Sequence, residues 1–340
     1  MRRAIPYLAA ALVAIALPLA LTNEPYWLDM LALLGFWAAL AGSWNLLAGY
    51  TGQVSLGHAA FSGIGAYSTA LAATKLTSNA LVGLLLGVVL AAAIAAIVGL
   101  LTLRLRGPYF SIATIAFAQV ASITALNWKD VTGGAEGIFL PFEPGPANLM
   151  FESPATYAII FLLCAVLIAA ATAWMAPSRT GLFLRAIRDD PVAAASLGVR
   201  VTALKLAVFA VSAAIAAAMG ALNAARIGYV DPTGTMTLQL SIQVALIAAI
   251  GGMGSPAGPL IGAIGIIPLQ FLLRAELGGR FGALYLAVYG LLLVIVLRYA
   301  PGGVVDLATR AYRRIRPGPT PPAMPPPPAT ATTAPEEVRS

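Results

Sequence analysis

The 340-residue chain is 60% hydrophobic and only 10% charged. Soluble domains are about 45–50% apolar and about a quarter charged, so this composition excludes a soluble globular enzyme, a disulfide scaffold and a disordered chain. The net charge of +7 does not indicate a nucleic-acid-binding protein, because the basic residues fall between apolar runs instead of gathering on one solvated face. The composition predicts an all-α integral membrane protein.

Ten apolar stretches approach the roughly 20 residues that a helix needs to cross a membrane. They cover residues 4–22, 28–48, 55–73, 80–103, 108–127, 154–176, 204–225, 239–252, 257–273 and 283–299. The eighth and ninth are short, and one bent span over both would lower the count, so we expect eight to ten transmembrane helices. The first stretch follows Met1-Arg2-Arg3 as in a signal peptide. No clear cleavage site follows it, and we expect it to be retained as a helix.

The distribution of basic residues orients these helices, because positive charge concentrates on the inner side of a membrane. With the N-terminus inside, only five of the 20 Lys and Arg residues fall outside, namely Lys75, Lys129, Arg226, Arg274 and Arg280. An even number of spans with both termini cytoplasmic fits this distribution best.

The sequence carries no motif for an ATP site. The phosphate-binding loop G-x-x-x-x-G-K-[ST] places a lysine after a glycine-rich turn, and none of Lys75, Lys129 and Lys205 follows one. If ATP drives transport, a partner chain binds it. Ion-coupled carriers usually hold ionisable residues in mid-span, and His58 is the only candidate away from the span ends. An ion-coupled carrier and a membrane enzyme built on His58 are therefore the less favoured alternatives.

A glycine-rich break lies between the second and third stretches, at residues 44–67. It concentrates Gly, Ser, Thr, Gln and His at membrane depth, where non-helical backbone is tolerated only inside protein or beside a watery cavity. The candidates to line a solute path are Asn45, Gln53, Ser55 and His58. The alternative is that the glycines serve close helix packing and that His58 donates to a nearby carbonyl.

A second glycine-rich break, at residues 251–259, separates the eighth and ninth stretches. Interruptions in both halves of a transporter often mark an internal repeat. Residues 49–52 (Gly-Tyr-Thr-Gly) are also echoed at residues 228–234, and each segment follows the second span of a five-span half. The pattern predicts an inverted five-plus-five repeat.

Two segments outside the spans differ in composition. Residues 128–153, rich in Gly, Pro and acidic residues, form the largest outer loop, which either docks a soluble partner or caps the bundle.

Residues 304–340 begin with a basic stretch, Arg310 to Arg316, that would anchor the last span at the anionic inner leaflet. The rest is Pro-rich and predicts a disordered cytoplasmic tail. The membrane domain is thus expected to be residues 1–303.

The inner loop at residues 177–203 carries explicit signals for two short helices. The first is expected from about Leu182 to Arg188, with Ser178 or Thr180 near its start. In the second, Asp190 is the N-cap and Gly198 suits the left-handed position after the last turn. The pair would present a rigid apolar knob to a cleft on a soluble partner, formed by Leu182, Phe183, Leu184, Ile187 and Leu197. The alternative is an amphipathic element lying on the lipid.

Several of these motifs together resemble one family. They are GYTGQVSLGHAAF at 49–61, LRGPYFSIAT at 105–114, TGGAEG at 132–137, RAIRDD and LGV between 185 and 199, and GGMGS at 251–255. The resemblance, over about residues 30–300, is to the permease subunits of branched-chain amino acid ABC transporters of the LivM type.

The resemblance implies an importer in the bacterial cytoplasmic membrane with several subunits. A second, LivH-like permease would complete the path through the lipid, two ATPase subunits would hold ATP and Mg, and a periplasmic binding protein would deliver the solute. This chain would form half of the path for branched-chain or related amino acids, with urea, amides and aromatic acids as alternative solutes. It would have no catalytic role and no cofactor of its own.

The resemblance also assigns residues of the inner loop to contact with the ATPase. The residues that it implies are Arg188, Asp189, Asp190, Ala193, Ala194, Leu197 and Gly198. Val192 stands where many ABC importers have Glu in this loop, which argues against an ion pair with the ATPase at that position.

Overall fold

Long apolar helices dominate the computed structural model, which describes residues 5–76, 79–105, 107–281, 290–291 and 303–306. Within those ranges, seven helical segments are long and apolar enough to cross a membrane: Pro25–Thr51, Ala80–Thr102, Pro108–Asn127, Pro154–Met175, Val201–Ile227, Pro232–Gly251 and Gly258–Glu276. The chain is an all-α, multi-pass membrane protein, as the composition predicts.

The described helices are numbered in chain order. They are α1 (Ile5–Ala20), α2 (Pro25–Thr51), α3 (His58–Leu71), α4 (Ala80–Thr102), α5 (Pro108–Asn127), α6 (Lys129–Thr132), α7 (Pro154–Met175), α8 (Arg179–Asp189), α9 (Pro191–Ser196), α10 (Val201–Ile227), α11 (Pro232–Thr235), α12 (Leu238–Gly251) and α13 (Gly258–Phe281).

Two of the predicted spans are shorter than a standard membrane crossing. Helix α1 has 16 residues, and α3 has 14 but continues into a π-helical turn at Ala72–Leu76. The tenth predicted span, residues 283–299, and the tail lie outside the described residues except at 290–291 and 303–306. The count of ten therefore remains approximate.

The eighth and ninth stretches are two separate helices and not one bent span. Helices α12 and α13 pack against each other around glycines that leave no room for a side chain. A Cβ at Gly251 would collide with the carbonyl oxygen of Gly258, and a Cβ at Gly262 would collide with that of Ile247. These pairings run in opposite directions along the two helices, so the break at residues 252–257 is the turn of an antiparallel hairpin.

Helices α2 and α10 are the two longest described helices, at 27 residues each, and they run antiparallel. In the first turns of α2, Asp29 accepts a 2.5 Å hydrogen bond from Arg226 in the last turn of α10. Helix α2 ends at the opposite side of the bundle, against α8. We call that side the α8–α9 end.

The packing around these two helices is reciprocal. Helices α3 and α4 pack on α10, whereas α12 and α13 pack on α2. Both long helices end in a left-handed glycine, Gly52 with φ of +72° and Gly228 with φ of +73°. The third and fourth helices of each half thus contact the second helix of the other half, as an inverted repeat requires.

Helix α2 lies at the centre of the bundle. In the apolar part of α2 that is long enough to cross a membrane, about nine-tenths of the residues are buried, compared with about a fifth in α4 and in α5. The large side chains Trp44 and Tyr50 of α2 and Phe161 of α7 are almost completely enclosed. Helix α2 therefore packs against α7, α10, α12 and α13.

The loop at residues 128–153 folds over the opposite side of the bundle. Its strand β1 (Ile138–Phe139) pairs antiparallel with β2 (Tyr229–Val230), directly after α10. Lys75 Nζ donates to the carbonyl of Asp130 at 2.6 Å, which ties the loop to the turn after α3. The loop is a cap on the bundle, and we call this side the ribbon end; docking of a partner onto it stays a prediction.

Candidate functional site

The first glycine-rich break is a partly buried, non-helical segment at residues 52–57, between α2 and α3, in which Ser55 is fully buried and Val54 is 40% exposed. Side chains from neighbouring helices satisfy its backbone. Trp44 Nε1 donates to the carbonyl of Ser55 at 2.6 Å, Ser111 Oγ donates to the carbonyl of Val54 at 2.6 Å, and Thr114 Oγ1 accepts from the N–H of Leu56 at 3.0 Å. This is how irregular backbone is stabilised at membrane depth, where water is absent.

His58 occupies the first position of α3 and is completely buried. Its Nε2 lies 2.8 Å from Ser212 Oγ, and Ser212 donates its own hydroxyl to the carbonyl of Ser43 at 2.6 Å. Because a serine hydroxyl has a single hydrogen, His58 Nε2 is the donor in its pair with Ser212. The next N–H, that of Ala59, donates to Ser241 Oγ at 3.0 Å. The start of α3 therefore joins α2, α10 and α12.

The four residues predicted to line a solute path all lie inside the protein in this conformation. Asn45, Gln53, Ser55 and His58 are each at most 9% exposed. Gln53 and Ser55 lie in the first break and His58 directly follows it, whereas the Asn45 side chain contacts the second break. The imidazole of His58 meets a hydroxyl and not the carbonyl expected from the sequence. A role of these four residues in a path stays a prediction.

The second break meets the first at the last turns of α2. The side-chain amide of Asn45 contacts the backbone of residues 254 and 255: Nδ2 donates to the carbonyl of Ser255 at 2.9 Å, and Oδ1 accepts from the N–H of Gly254 at 2.8 Å. Gly254 has φ of +77°, a conformation that favours glycine. The second break is thus hydrogen-bonded to the last turns of α2, which lead directly into the first break, through residues 210 positions apart in sequence. We call this contact the junction of the two breaks.

The two short helices of the inner loop form as their capping signals predict. Ser178 Oγ accepts from the N–H of Gly181 at 3.3 Å, so α8 begins at Arg179, three residues before the predicted start. Asp190 Oδ1 accepts from the N–H groups of Val192 and Ala193 at 2.8 and 3.1 Å. Gly198, after α9, has φ of +82°.

The apolar residues of this loop divide into two faces. Leu184, Ile187 and Ala194 are at most 2% exposed and hold α8 and α9 against the bundle. The opposite face is open and consists of Leu182, Phe183, Val192 and Leu197, of which Leu197 is 84% exposed. The exposure that such a knob requires is confirmed for Leu182, Phe183 and Leu197. It is wrong for Leu184 and Ile187, which point inward because α8 needs its own apolar seam with the bundle. Contact of the knob with a partner stays a prediction.

The predicted coupling residues also divide between these faces. The exposed ones are Arg188, Asp189, Asp190, Ala193, Leu197 and Gly198, whereas Ala194 is buried. Arg188 has a different role from the others, because its Nη1 donates to the carbonyl of Gly49 at 2.6 Å. One turn away, the Arg185 guanidinium lies 5.7 Å from the centroid of the Tyr50 ring. Both arginine side chains therefore contact the last turn of α2.

Two exposed amides in helical segments that are long and apolar enough to cross a membrane were missed by the sequence reasoning. Gln119 is the twelfth of the 20 residues of α5, and Gln239 lies in the first turn of α12; both are exposed. One turn after Gln239, Gln243 Nε2 donates to Gln270 Oε1 of α13 at 3.2 Å. The signal was a glutamine inside an apolar stretch, which a search for ionisable groups alone passes over.

Comparison with known proteins matches this architecture to a transport family. A family model described as "Branched-chain amino acid transport system / permease component" matches residues 26–297, most of the chain. The chain belongs to this family. Members of the family are transport components and not enzymes.

Curated relatives of this family share much of their length with the chain. A "High-affinity branched-chain amino acid transport system permease protein LivM" from Escherichia coli (strain K12) is 30% identical over 92% of this chain and 77% of its own length. The protein of the same description from Salmonella typhimurium is 28% identical over 92% and 76%. A "Fructose import permease protein FrcC" from Rhizobium meliloti is 32% identical over 42% of this chain and 39% of its own length. No solved structure matches the chain.

Proposed function

We propose that this chain forms half of the transmembrane path of an importer for branched-chain or related amino acids, driven by ATP that partner subunits bind and hydrolyse. The observation that carries the proposal is the pair of capped helices α8 and α9. They present an open apolar face on one side and are hydrogen-bonded on the other to the end of the most buried helix.

The open face of α8 and α9 is the proposed docking surface for an ATPase subunit. Rigid capped helices with four exposed apolar side chains suit a cleft on a folded partner, since large exposed apolar patches mark interaction sites. The face carries Leu182, Phe183, Val192 and Leu197. The exposed Ala193, Asp189 and Gly198 border it.

The charge distribution supports the proposed orientation in the bacterial cytoplasmic membrane. Among the described residues, the α8–α9 end is the more positive: it carries Arg104, Arg179, Arg185, Arg188, Arg200 and Lys205 with the acids Asp189 and Asp190. The ribbon end carries the basic residues Lys75, Lys129, Arg226, Arg274 and Arg280 with the acids Glu24, Asp29, Asp130, Glu136, Glu143, Glu152, Asp231 and Glu276. Because positive charge concentrates on the inner side, the α8–α9 end faces the cytoplasm, where an ATPase is found. The ribbon end then faces the periplasm and a substrate-binding protein.

The solute path is proposed to run along the exposed faces of α5 and α12, against a second, LivH-like permease. An amide facing lipid in mid-membrane leaves costly unsatisfied hydrogen-bonding groups, which protein or a watery path would satisfy. Gln119 and Gln239 lie on these faces beside aliphatic residues such as Ile112 and Ile242. Such a wall suits a zwitterion with an apolar side chain.

The test is reconstitution with the ATPases, second permease and binding protein encoded beside this chain. ATP-dependent uptake of leucine, isoleucine or valine into proteoliposomes is the expected result; uptake of urea, an amide or phenylalanine instead would change the solute but keep the mechanism. Uptake by the purified chain alone, driven by an ion gradient, would refute the proposal.

The docking surface has its own matched variants. Leu197→Asp places a charge on the open face without touching the buried seam, and we expect it to abolish co-purification of the ATPases. Phe142→Asp makes the same kind of change at the ribbon end, where Phe142 is 70% exposed, and should leave their recovery unchanged. Normal recovery with Leu197→Asp would exclude this surface as the ATPase site.

A further inference from the structure

Arg188 satisfies a carbonyl that helix geometry leaves free. The last carbonyls of an α-helix have no partner within the helix and carry partial negative charge. In α2, the Gly52 N–H bonds the carbonyl of Ala48, so the carbonyl of Gly49 is the first without a helical partner. Arg188 Nη1 donates to it at 2.6 Å. A cation near a helix C-terminus is favourable. The hydrogen bond from Arg188 also depends on direction, whereas the apolar contacts of Leu184 and Ile187 do not.

Gly49 is also the point where α8, α2 and the second break meet. A Cβ at Gly49 would collide with Asn45 Oδ1 and lie 2.6 Å from the Gly254 nitrogen. A Cβ at Gly254 would lie 2.8 Å from Arg188 Nη1 and 3.0 Å from the Gly49 oxygen. Since Asn45 in turn holds Gly254 and Ser255, the guanidinium of Arg188 is packed directly against the junction of the two breaks.

We propose that Arg188 is the positioning residue that transmits movement of α8 to both helix breaks. The inference rests on the proposed function, in which an ATPase moves α8 and α9. A displacement of α8 pulls the Gly49 carbonyl through one charge-assisted hydrogen bond. Because Asn45 joins the same turn to Gly254 and Ser255, the end of α2 and the α12–α13 turn move together. Arg188 thus acts within the chain and not as a contact for the ATPase, although it lies in the same loop.

The experiment compares three variants of the reconstituted complete transporter. Arg188→Met keeps the apolar stem and removes the donor, Arg188→Lys restores a donor, and Arg179→Met removes the same charge from the exposed first residue of α8. The measurements are recovery of the ATPases, ATP hydrolysis stimulated by loaded binding protein, and leucine transported per ATP hydrolysed.

Arg188→Met is expected to recover the ATPases normally but to transport about tenfold less leucine per ATP, as loss of one charge-assisted hydrogen bond predicts. Arg188→Lys should regain much of that loss, and Arg179→Met should match the wild type. A purely structural role of Arg188 would instead lower ATPase recovery and leave the ratio of transport to hydrolysis unchanged, which would overturn the inference.

A double variant tests whether Arg188 acts through Asn45. If Arg188 transmits movement through Asn45, the double variant Arg188→Met with Asn45→Ala should lose about as much leucine transport per ATP as either single variant. Losses that multiply would show independent roles and contradict the inference. If the wild-type complex transports leucine without hydrolysing ATP, both the proposed function and the inference are refuted. If the wild type and Arg188→Met transport the same amount of leucine per ATP hydrolysed, only the inference is refuted.

Discussion

The ends of α2 and α10 start from the same local chemistry and have different surroundings. Each is a 27-residue helix that ends in a glycine with φ near +70°. After α2 the chain enters the partly buried first break, and the helix end and the break together contact α5, α8 and the α12–α13 turn. After α10 it forms a short ribbon at the surface, and a Cβ at Gly228 would have no neighbour within 4 Å.

This difference separates a helix end that is bonded to two other segments of the bundle from one that is held by the ribbon and an ion pair. The α2 end is joined to α8 through Arg188 and to the second break through Asn45. The α10 end is held by strand pairing and by the contact of Arg226 with Asp29. The repeat supplies two equivalent helix ends, and the side chains around each decide its role.

The largest expected effect is at the α2 end. Asn45→Ala leaves the N–H of Gly254 and the carbonyl of Ser255 without their partner and opens a small cavity. We expect this to lower the free energy of unfolding by about 2–4 kcal/mol. The midpoint of thermal unfolding in detergent would measure the loss, and a midpoint equal to that of the wild type would show that the junction contributes little to stability.

A pair of glycine substitutions compares the two ends directly. Gly49→Ala inserts a methyl group against Asn45 and the backbone of Gly254, and should cost about 2–3 kcal/mol by overpacking. Gly228→Ala meets open space, and should cost about 1 kcal/mol because a side chain disfavours positive φ. Equal shifts of the unfolding midpoint would contradict the difference in packing between the two ends.

The smallest effect is expected at the ribbon end, for Arg226→Gln. The variant removes the ion pair between Arg226, whose side chain is 18% exposed, and Asp29, whose side chain is 51% exposed. Since solvent reaches Asp29, the pair should contribute no more than the roughly 0–1 kcal/mol of a surface ion pair, so the unfolding midpoint should move little and should move less still at high salt. A large decrease of the unfolding midpoint that salt does not reduce would mean that this ion pair strongly stabilises the contact between α2 and α10.

The sequence predicted the helices well because apolar length and capping residues are local signals. Asp190 and Gly198 placed α9 correctly, and the stretches corresponding to α2, α4, α5 and α7 were each found within a few residues. The family match agrees with the predicted resemblance.

What the sequence could not show were contacts between distant segments. Nothing in the pattern around Asn45 indicates that its amide bonds residues 254 and 255, and Arg188 resembles any surface arginine of a basic loop. The direction of Leu184 and Ile187 depends on a seam with the bundle that exists only once the halves pack. Gln119 was visible in the sequence, but its exposure at mid-membrane needed the fold.

The Asn45 contact has a consequence for how the chain is made. Helix α2 is among the first segments to leave the ribosome, yet its amide must wait 209 residues for the N–H of Gly254. At about 5–20 residues per second, the wait lasts on the order of 10–40 s. During that time the side-chain amide of Asn45 lacks its partners in residues 254 and 255, because α12 and α13 have not yet been synthesised. The most central helix of the finished protein thus reaches its final packing only after α12 and α13, the last long helices described, have been made.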